Sequence, residues 1–437
     1  MNSTINIDVP ISEKVESPSI IKVMGIGGGG GNAVNNMFRL GIKDVSFAVC
    51  NTDYQALKAS PVPCKIRIGD LGAGSDPKEA ERAALANENS IREALDDGTK
   101  MLFITATMGG GTGTGASPIV ARIAQELGIL TVGIVTIPFA FEGEDKIIQA
   151  LKGVDALSEY VDALLLINNE KLLELYKGIP VSEAFKKADE VLSNAAKSIA
   201  EIITINGYIN VDFADVYTTL KNGNIAIMNV GQASGENRVT KALDNALYSP
   251  LVSSNDIKGA KKILFNLYCS HSAEIMPEEF SEIHEFMRKV GGKGIKVIWG
   301  ITFDDELGES VKVTLIATGY EMTEIPGMPI KIFGKRNPEE SRINDEADEA
   351  IDLTRGVNNA TATADDEPQP VDGNDNKQPV TDNENKEKDY ANAIQEFYGK
   401  STTTGVPFSA SGGDTIDLTS LSQEDIENIP AWKRKRN

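Results

Sequence analysis

An α/β fold is predicted for most of this 437-residue chain: a parallel sheet covered by helices on both faces, a long central helix and a smaller α+β domain, followed by a disordered acidic linker and a short C-terminal peptide. Three observations predict it. Between Ile20 and Gly207, β-branched runs too apolar to have a wet face alternate with helical patterns, as in sheets buried on both sides. From Val181 onward one apolar stripe keeps helical spacing for about 25 residues. Beyond Arg336 large apolar residues become sparse and charge takes over.

In chain order, residues 1 to 19 hold acidic residues and proline with no apolar stretch, which predicts a disordered leader and no signal peptide. The strand candidates that follow are IKVMGIG, VSFAVCNTD, CKIRIG, KMLFITATM, ILTVGIVTIPF and ALLLINN. The stripe Val181, Ala184, Phe185, Ala188, Val191, Leu192, Ala195, Ala196, Ile199, Ile202 and Ile203 makes a helix of roughly 37 Å, ending near Asn206-Gly207 and long enough to cross between domains. KKILFNLYCS, IKVIWGITF and VKVTLIATGY then read as strands of the second domain, and PEEFSEIHEFMRKVGG as an amphipathic helix closed by glycines.

From 336 to 410 there are 17 acidic residues against 7 basic, too little apolar surface to offset the entropy of ordering, so the segment is an extended linker. The last 24 residues regain apolar side chains and end basic. Ile429 and Trp432 beside Lys433 to Arg436 suggest a docking peptide on a tether.

The formal net charge of -21 argues against nonspecific binding to nucleic acid or anionic membranes. No run of about 18 apolar residues occurs, so no membrane span is predicted. Cys50, Cys64 and Cys269 are an odd number without metal-ligand spacing, and with only His271 and His284 available neither a zinc site nor a disulfide framework is expected. A reducing, cytoplasmic compartment fits that usage.

Two glycine-rich loops carry the chemistry. The first, Gly25 to Asn32, lies between the strand IKVM and a helical segment. Glycine lets the backbone approach an anion, and a helix starting there aims free N–H groups and a positive dipole end at a phosphate. A tight turn alone would need about two of its six glycines. This loop does not exclude a dinucleotide-dependent oxidoreductase, because Asp53 stands about where such an enzyme keeps its ribose-binding acid. The second loop, Gly109 to Gly115, follows KMLFITATM and precedes the helix ASPIVARIAQEL. Thr112 and Thr114 add hydroxyls suited to phosphate oxygens or a hydrated Mg²⁺. One pyrophosphate needs one cradle; two on one sheet suit a triphosphate. No GxxxxGK[ST] occurs, which excludes a Walker-type NTPase.

GGGTGTG resembles the signature of the tubulin/FtsZ superfamily, and the first loop, NTD at Asn51 to Asp53, LGAG at Leu71 to Gly74, PFAFEG at Pro138 to Gly143 and the extreme C-terminus are similar to its bacterial FtsZ branch. The resemblance covers about residues 20 to 320. It implies a Rossmann-like GTP-binding domain at 20–180, a central helix at 181–206, a catalytic loop and following segment at 207–221, and the α+β domain at 222–334. The linker is then 335–413 and a partner-binding peptide 414–437.

It also implies GTP/GDP and Mg²⁺ as ligands. The implied nucleotide contacts are Gly28, Gly29, Gly30, Gly31, Asn32, Asn51, Thr52, Gly72, Ala73, Gly74, Gly110, Gly111, Thr112, Gly113 and Thr114, with Glu142 near the ribose, Lys146, and Phe185 near the base. Lys146 stands where many relatives carry arginine, and pairs a phosphate only as a point charge. Where the family's base-reading aspartate is expected, Glu190 follows Asp189, and either carboxylate can accept from guanine. The segment before LGAG, which senses the γ-phosphate in the family, is shorter than in several relatives.

Hydrolysis needs an oriented water, and neither glycine loop supplies a carboxylate for it. Asp212 and Asp215, three apart in NVDFADV, share one side of a helical turn, and ordinary capping of the next helix is the competing reading. The resemblance implies that Asn210, Asp212 and Asp215 enter the nucleotide pocket of a neighbouring subunit, so that head-to-tail polymerisation into a division filament switches on the GTPase. It likewise implies that Ile429, Pro430, Ala431, Trp432, Lys433 and Arg434 dock membrane-anchoring and regulatory division proteins at the division site. A nucleotide-binding filament protein without turnover is the remaining alternative, disfavoured by retention of both aspartates.

Overall fold

The computed structural model describes residues 19–42, 44–176, 178–205, 207–247, 260–290 and 295–320. Nearly all of the leader, Asn206, residues 321–334, the acidic linker and the C-terminal peptide lie outside the described residues.

Six strands form the expected parallel sheet: β1 (Ile21–Ile26), β2 (Val45–Asn51), β3 (Cys64–Arg67), β4 (Met101–Thr107), β5 (Leu130–Ile137) and β6 (Ala163–Asn168). Four more extend it: β7 (Asn224–Ala233), β8 (Lys262–Cys269), β9 (Lys296–Phe303) and β10 (Val311–Thr318). The ten run in the order β3-β2-β1-β4-β5-β6-β7-β10-β8-β9. The C-terminal half is thus no separate sheet: β7 joins β6 in parallel through Ala163 to Leu165, and β10 then pairs antiparallel with β7 and β8.

Full burial explains the apolar strands. All six residues of β1 and all eight of β5 are buried. The one charge in β1, Lys22, survives because its ammonium meets the Asp97 carboxylate at 2.5 Å and the carbonyl of Ala94.

On one face, α1 (Gly27–Arg39) and α8 (Val181–Thr204) pack Ala33, Val34, Met37, Leu192, Ala195 and Ile199 against Val23, Phe103, Val132 and Ile134. The opposite face carries α3 (Pro77–Ala86), α5 (Gly111–Glu126) and α6 (Glu144–Ser158), with α5 packed between the other two. Leu157 of α6 lies against Gly133, whose side points away from Ile134. The central helix spans 24 residues, about 36 Å.

The sequence pattern did not reveal β7. Asn229, Gly231 and Gln232 interrupt its apolar run, and Gly231 is there because α10 (Arg238–Leu247) crosses it: a Cβ would stand 2.1 Å from the Ala242 carbonyl oxygen. The segment after α8 is fastened to the C-terminal half. Ile209 bridges Ile301, and Tyr208 N–H donates to the Ile301 carbonyl at 2.8 Å.

Candidate active site: two glycine helices and a distant pair of carboxylates

β1 passes into α1 without an intervening residue, turning at Gly27 with φ +73°. A Cβ on Gly27 would lie 2.8 Å from the backbone nitrogen of Gly113, so the two glycine-rich helix starts abut. The first loop's glycines divide by direction. Those at 29 and 30 face inward, where a Cβ would meet the Thr107 hydroxyl and the Thr105 carbonyl, each at 2.1 Å. Gly28 and Gly31, one turn apart, have nothing within 4 Å on that side. The second loop divides likewise. Gly111 and Gly113 abut Ala73 and the Thr107 carbonyl, whereas Gly110 faces open space.

Neither α1 nor α5 has a side-chain cap or an acidic residue in its first turn, so both present free N–H groups and a positive dipole end to the same cleft. Asn32 lies exposed on the first turns of α1. The Thr112 hydroxyl is 2.7 Å from that of Thr52, tying the end of β2 to the second loop. Thr114 is engaged differently: its hydroxyl accepts from Gly109 N–H at 2.9 Å and its methyl packs on Gly153, so it shapes the loop from within. Asn51 is buried and accepts from Asp53 N–H at 3.2 Å. Asp53 caps α2 (Tyr54–Ala59), one of its carboxylate oxygens accepting from Gln55 and Ala56 N–H.

The segment before α3 is stapled to the end of β2. Gly72 N–H donates to Thr52, Tyr54 N–H to Asp70, and Asp53 bridges Leu71. Gly72, Gly74 and Ser75 all adopt positive φ, of 87°, 57° and 64°. Ala73 rests on Gly111, while Gly72 and Gly74 face open space.

Past β5, Phe139 stacks on Phe141 at 5.0 Å, and Phe185 of α8 meets both edge-on at 5.1 and 6.2 Å. Glu142 accepts from Phe139 N–H at 3.0 Å and lies 3.4 Å from the Lys146 ammonium. Glu190 is exposed and paired with Lys187 at 2.7 Å. Asp189 is half-buried, and burial pushes its carboxyl up to about 6.

Three buried polar atoms at the C-terminal ends of β5 and β6 lack a partner: Thr136 Oγ1, Asn168 Nδ2 and Asn169 Oδ1. Buried groups of this kind are normally paired; Asn229 Oδ1 of β7 is unpaired as well, so it is the grouping of these three at the strand ends that makes them candidate contacts for a polar ligand. The sequence reading missed them; the only signal was an apolar run, ALLLI, closing on two asparagines.

Asp212 and Asp215 form a reciprocal capping box at the start of α9 (Phe213–Leu220), with Asp215 N–H donating to Asp212 at 2.8 Å and Asp212 N–H to Asp215 at 3.4 Å. Capping uses one oxygen of each and leaves the other. Asn210 accepts from Gly207 N–H at 2.5 Å.

These three residues lie apart from the cradle. The Ser193 hydroxyl reaches Ala33 of α1 at 3.2 Å, and α8 continues roughly 16 Å past it before the chain turns toward Asn210. The fold therefore gathers the two uncapped helix N-termini and an aromatic cluster toward one end of α8 and the carboxylates at the other. Among the described residues no three His, Cys, Asp or Glu are grouped to hold a metal ion.

Residues 20–177 match the family model described as "Tubulin/FtsZ family, GTPase domain", and 224–321 the one described as "FtsZ family, C-terminal domain". The cleft is that of a tubulin-class GTPase. The chain is 54% identical over 311 residues to "Cell division protein FtsZ" of Porphyromonas gingivalis, covering 70% of this chain and 68% of the relative. It is 42% identical over 323 residues to "Cell division protein FtsZ" of Wigglesworthia glossinidia brevipalpis, covering 72% and 83%. The solved structure "FtsZ dimer, empty (M. jannaschii)" superposes with a TM-score of 0.65 at 37% identity, over 73% of this chain and 92% of that one. CetZ2 from Haloferax volcanii, at 18% identity and a TM-score of 0.58, shares the fold. The chain belongs to the FtsZ family.

Proposed function

We propose that this GTPase assembles head-to-tail into filaments for cell division and that each hydrolytic site is completed by the next subunit. The separation of cradle and carboxylates along α8 carries this reading: one chain cannot bring Asp212 to its own phosphates. The two ends also offer apolar surface for a second copy to bury. Leu71 is 98% exposed beside the cradle and Tyr208 74% exposed beside the carboxylates. The dimer named for the M. jannaschii relative supports self-association.

The phosphates lie across the N-termini of α1 and α5, with Gly28, Gly31, Gly110, Gly72 and Gly74 left bare to admit them. The guanine lies against Phe185, read by Asp189 rather than the ion-paired Glu190, with Asn169 and Thr136 as further polar partners. Lys146 and Glu142 flank the ribose side. Mg²⁺ would be held through the phosphates, with the Thr112 and Thr52 hydroxyls as its neighbours, and would supply charge neutralisation. From the neighbouring subunit, Asp212 and Asp215 orient the attacking water and Asn210 shapes their approach. The C-terminal residues 429–434 dock anchoring and regulatory division proteins and hold the filament at the cytoplasmic division site. No helix among the described residues is long and apolar enough to cross a membrane.

Phosphate release from GTP, measured against protein concentration with light scattering in the same cuvette, tests the shared site. Turnover per molecule should appear only above a threshold, together with scattering. Turnover proportional to concentration from the lowest dilution would mean a self-contained site, and the role of Asp212 and Asp215 across the contact would have to be abandoned.

A further inference from the structure

Gln149, which no sequence motif singled out, lies on the second turn of α6 and joins three segments. Its amide nitrogen is 3.1 Å from the Ser75 carbonyl oxygen, 3.1 Å from that of Gly109 and 3.2 Å from that of Gly110. Three acceptors around one atom admit only a donor, which fixes the amide as NH₂ toward the loops, its two hydrogens shared among the three.

Each loop has an anchor of its own, Gly72 N–H on the Thr52 carbonyl and Gly109 N–H on the Thr114 hydroxyl, and Gln149 adds the bond that joins one loop to the other. Ser75, the third residue with positive φ in the four-residue stretch 72–75, has a side chain that makes this conformation costly. Loop 72–75 otherwise rests on the second loop through Ala73 against Gly111.

The sheet order says which part of a nucleotide these loops meet. Reading across the strand ends, the aromatic cluster and the unpaired asparagine atoms lie at the ends of β5 and β6, the glycine helices follow β4 and β1, and loop 69–76 follows β3 at the far edge. A nucleotide with its base at β5 and β6 and its phosphates over β4 and β1 directs its terminal phosphate toward loop 72–75. That loop is the one Gln149 holds.

We propose that Gln149 is a positioning residue for the terminal phosphate: it locks loop 72–75 to loop 109–110 so that their open backbone faces the third phosphate together. This rests on the phosphate placement proposed above. Gln149 itself touches no phosphate, so its loss should discriminate between a triphosphate and a diphosphate.

The test uses the full chain, dilute enough to show no scattering, with binding of GDP and of a β,γ-methylene GTP analogue measured side by side. Gln149→Met keeps the shape and removes the donors. It should bind GDP within about twofold of the parent and the triphosphate analogue about 5- to 30-fold more weakly, the loss expected for one or two hydrogen bonds. Gln149→Lys restores donors to the same three carbonyls and should recover most of the loss. Equal weakening for both nucleotides, no weakening, or no recovery with lysine would each overturn the proposal.

Hydrogen exchange on the parent gives an arm independent of any variant's folding. Amides of 71–76 and 109–114 should gain protection together with the triphosphate analogue and less with GDP; equal protection by GDP refutes the idea. Gly110→Val separates this inference from its premise. Filling that open side should abolish binding of both nucleotides. Normal binding by Gly110→Val would sink the phosphate placement and the role of Gln149 with it, whereas loss in Gly110→Val with a silent Gln149→Met would sink Gln149 alone.

Discussion

Replacing Gly28 and Gly30 by alanine, one at a time, separates folding from nucleotide binding with two methyl groups placed two residues apart. At Gly30 the new Cβ would stand 2.1 Å from the Thr105 carbonyl oxygen and 3.2 Å from Cα of Ala106, both rigid backbone of β4. Helix or strand must move, at a cost of about 1–3 kcal/mol or more for overpacking. At Gly28 there is nothing within 4 Å and no positive φ, so the methyl enters open cleft. There the helix gains up to about 1 kcal/mol from exchanging glycine for alanine, less in a first turn. Thermal melting without nucleotide should show Gly30→Ala lowered by several degrees and Gly28→Ala equal to the parent or raised by roughly 2 °C. Equilibrium binding of GDP should show Gly28→Ala weakened by at least about tenfold, because the methyl occupies the approach of a phosphate to the α1 N–H groups. If Gly28→Ala binds GDP normally, the open side of α1 is not the phosphate side. If it melts as low as Gly30→Ala, the division of these glycines by direction is wrong.

Asp212→Ala should keep GTP binding and lose nearly all turnover in assembled protein, with about 1 kcal/mol of fold stability lost with the cap; parallel loss of binding and turnover would rule out a shared site. GTP affinity should fall as pH drops through about 6, where the Asp189 carboxyl takes up its proton, approaching tenfold per pH unit, and Asp189→Asn should flatten that profile. On the unliganded fold the sign is opposite. Because burial raises this group from 3.8 to about 6, its stabilising contribution is full below about 3.8 and is lost as pH rises through 6, which melting of parent and Asp189→Asn would register. Deleting 428–437 should spare filament formation and turnover while abolishing capture by division partners; failure to polymerise would reassign the tail.

The parts legible in the sequence were those written in local spacing. The glycine runs, the apolar stripe of α8 and the Asp212–Asp215 step each depend on residues a few positions apart. Illegible were single polar residues defined by distant segments: Gln149, bonded to the backbone carbonyls of Ser75 and Gly109, and Asn169, whose oxygen the fold buries without a partner. Adjacent carboxylates at 189 and 190 look equivalent as letters. On a helix they point about 100° apart, and only the fold shows one held by Lys187 and the other turned inward. Thr112 and Thr114 look interchangeable in GGGTGTG, yet one reaches Thr52 and the other props up its own loop. β7 escaped because its glycine answers to the helix above it and not to strand propensity.

The length of α8 has a bookkeeping consequence for a filament built in the proposed way. Every subunit brings one nucleotide and one carboxylate pair, but at opposite poles, so a row of subunits contains one fewer complete site than it contains nucleotides. The subunit whose cradle points outward holds a nucleotide that nothing can cleave until another copy arrives, while the opposite tip bears carboxylates with no phosphate to act on. The two tips therefore differ chemically, and the age of a nucleotide is counted from the moment its subunit ceases to be the last.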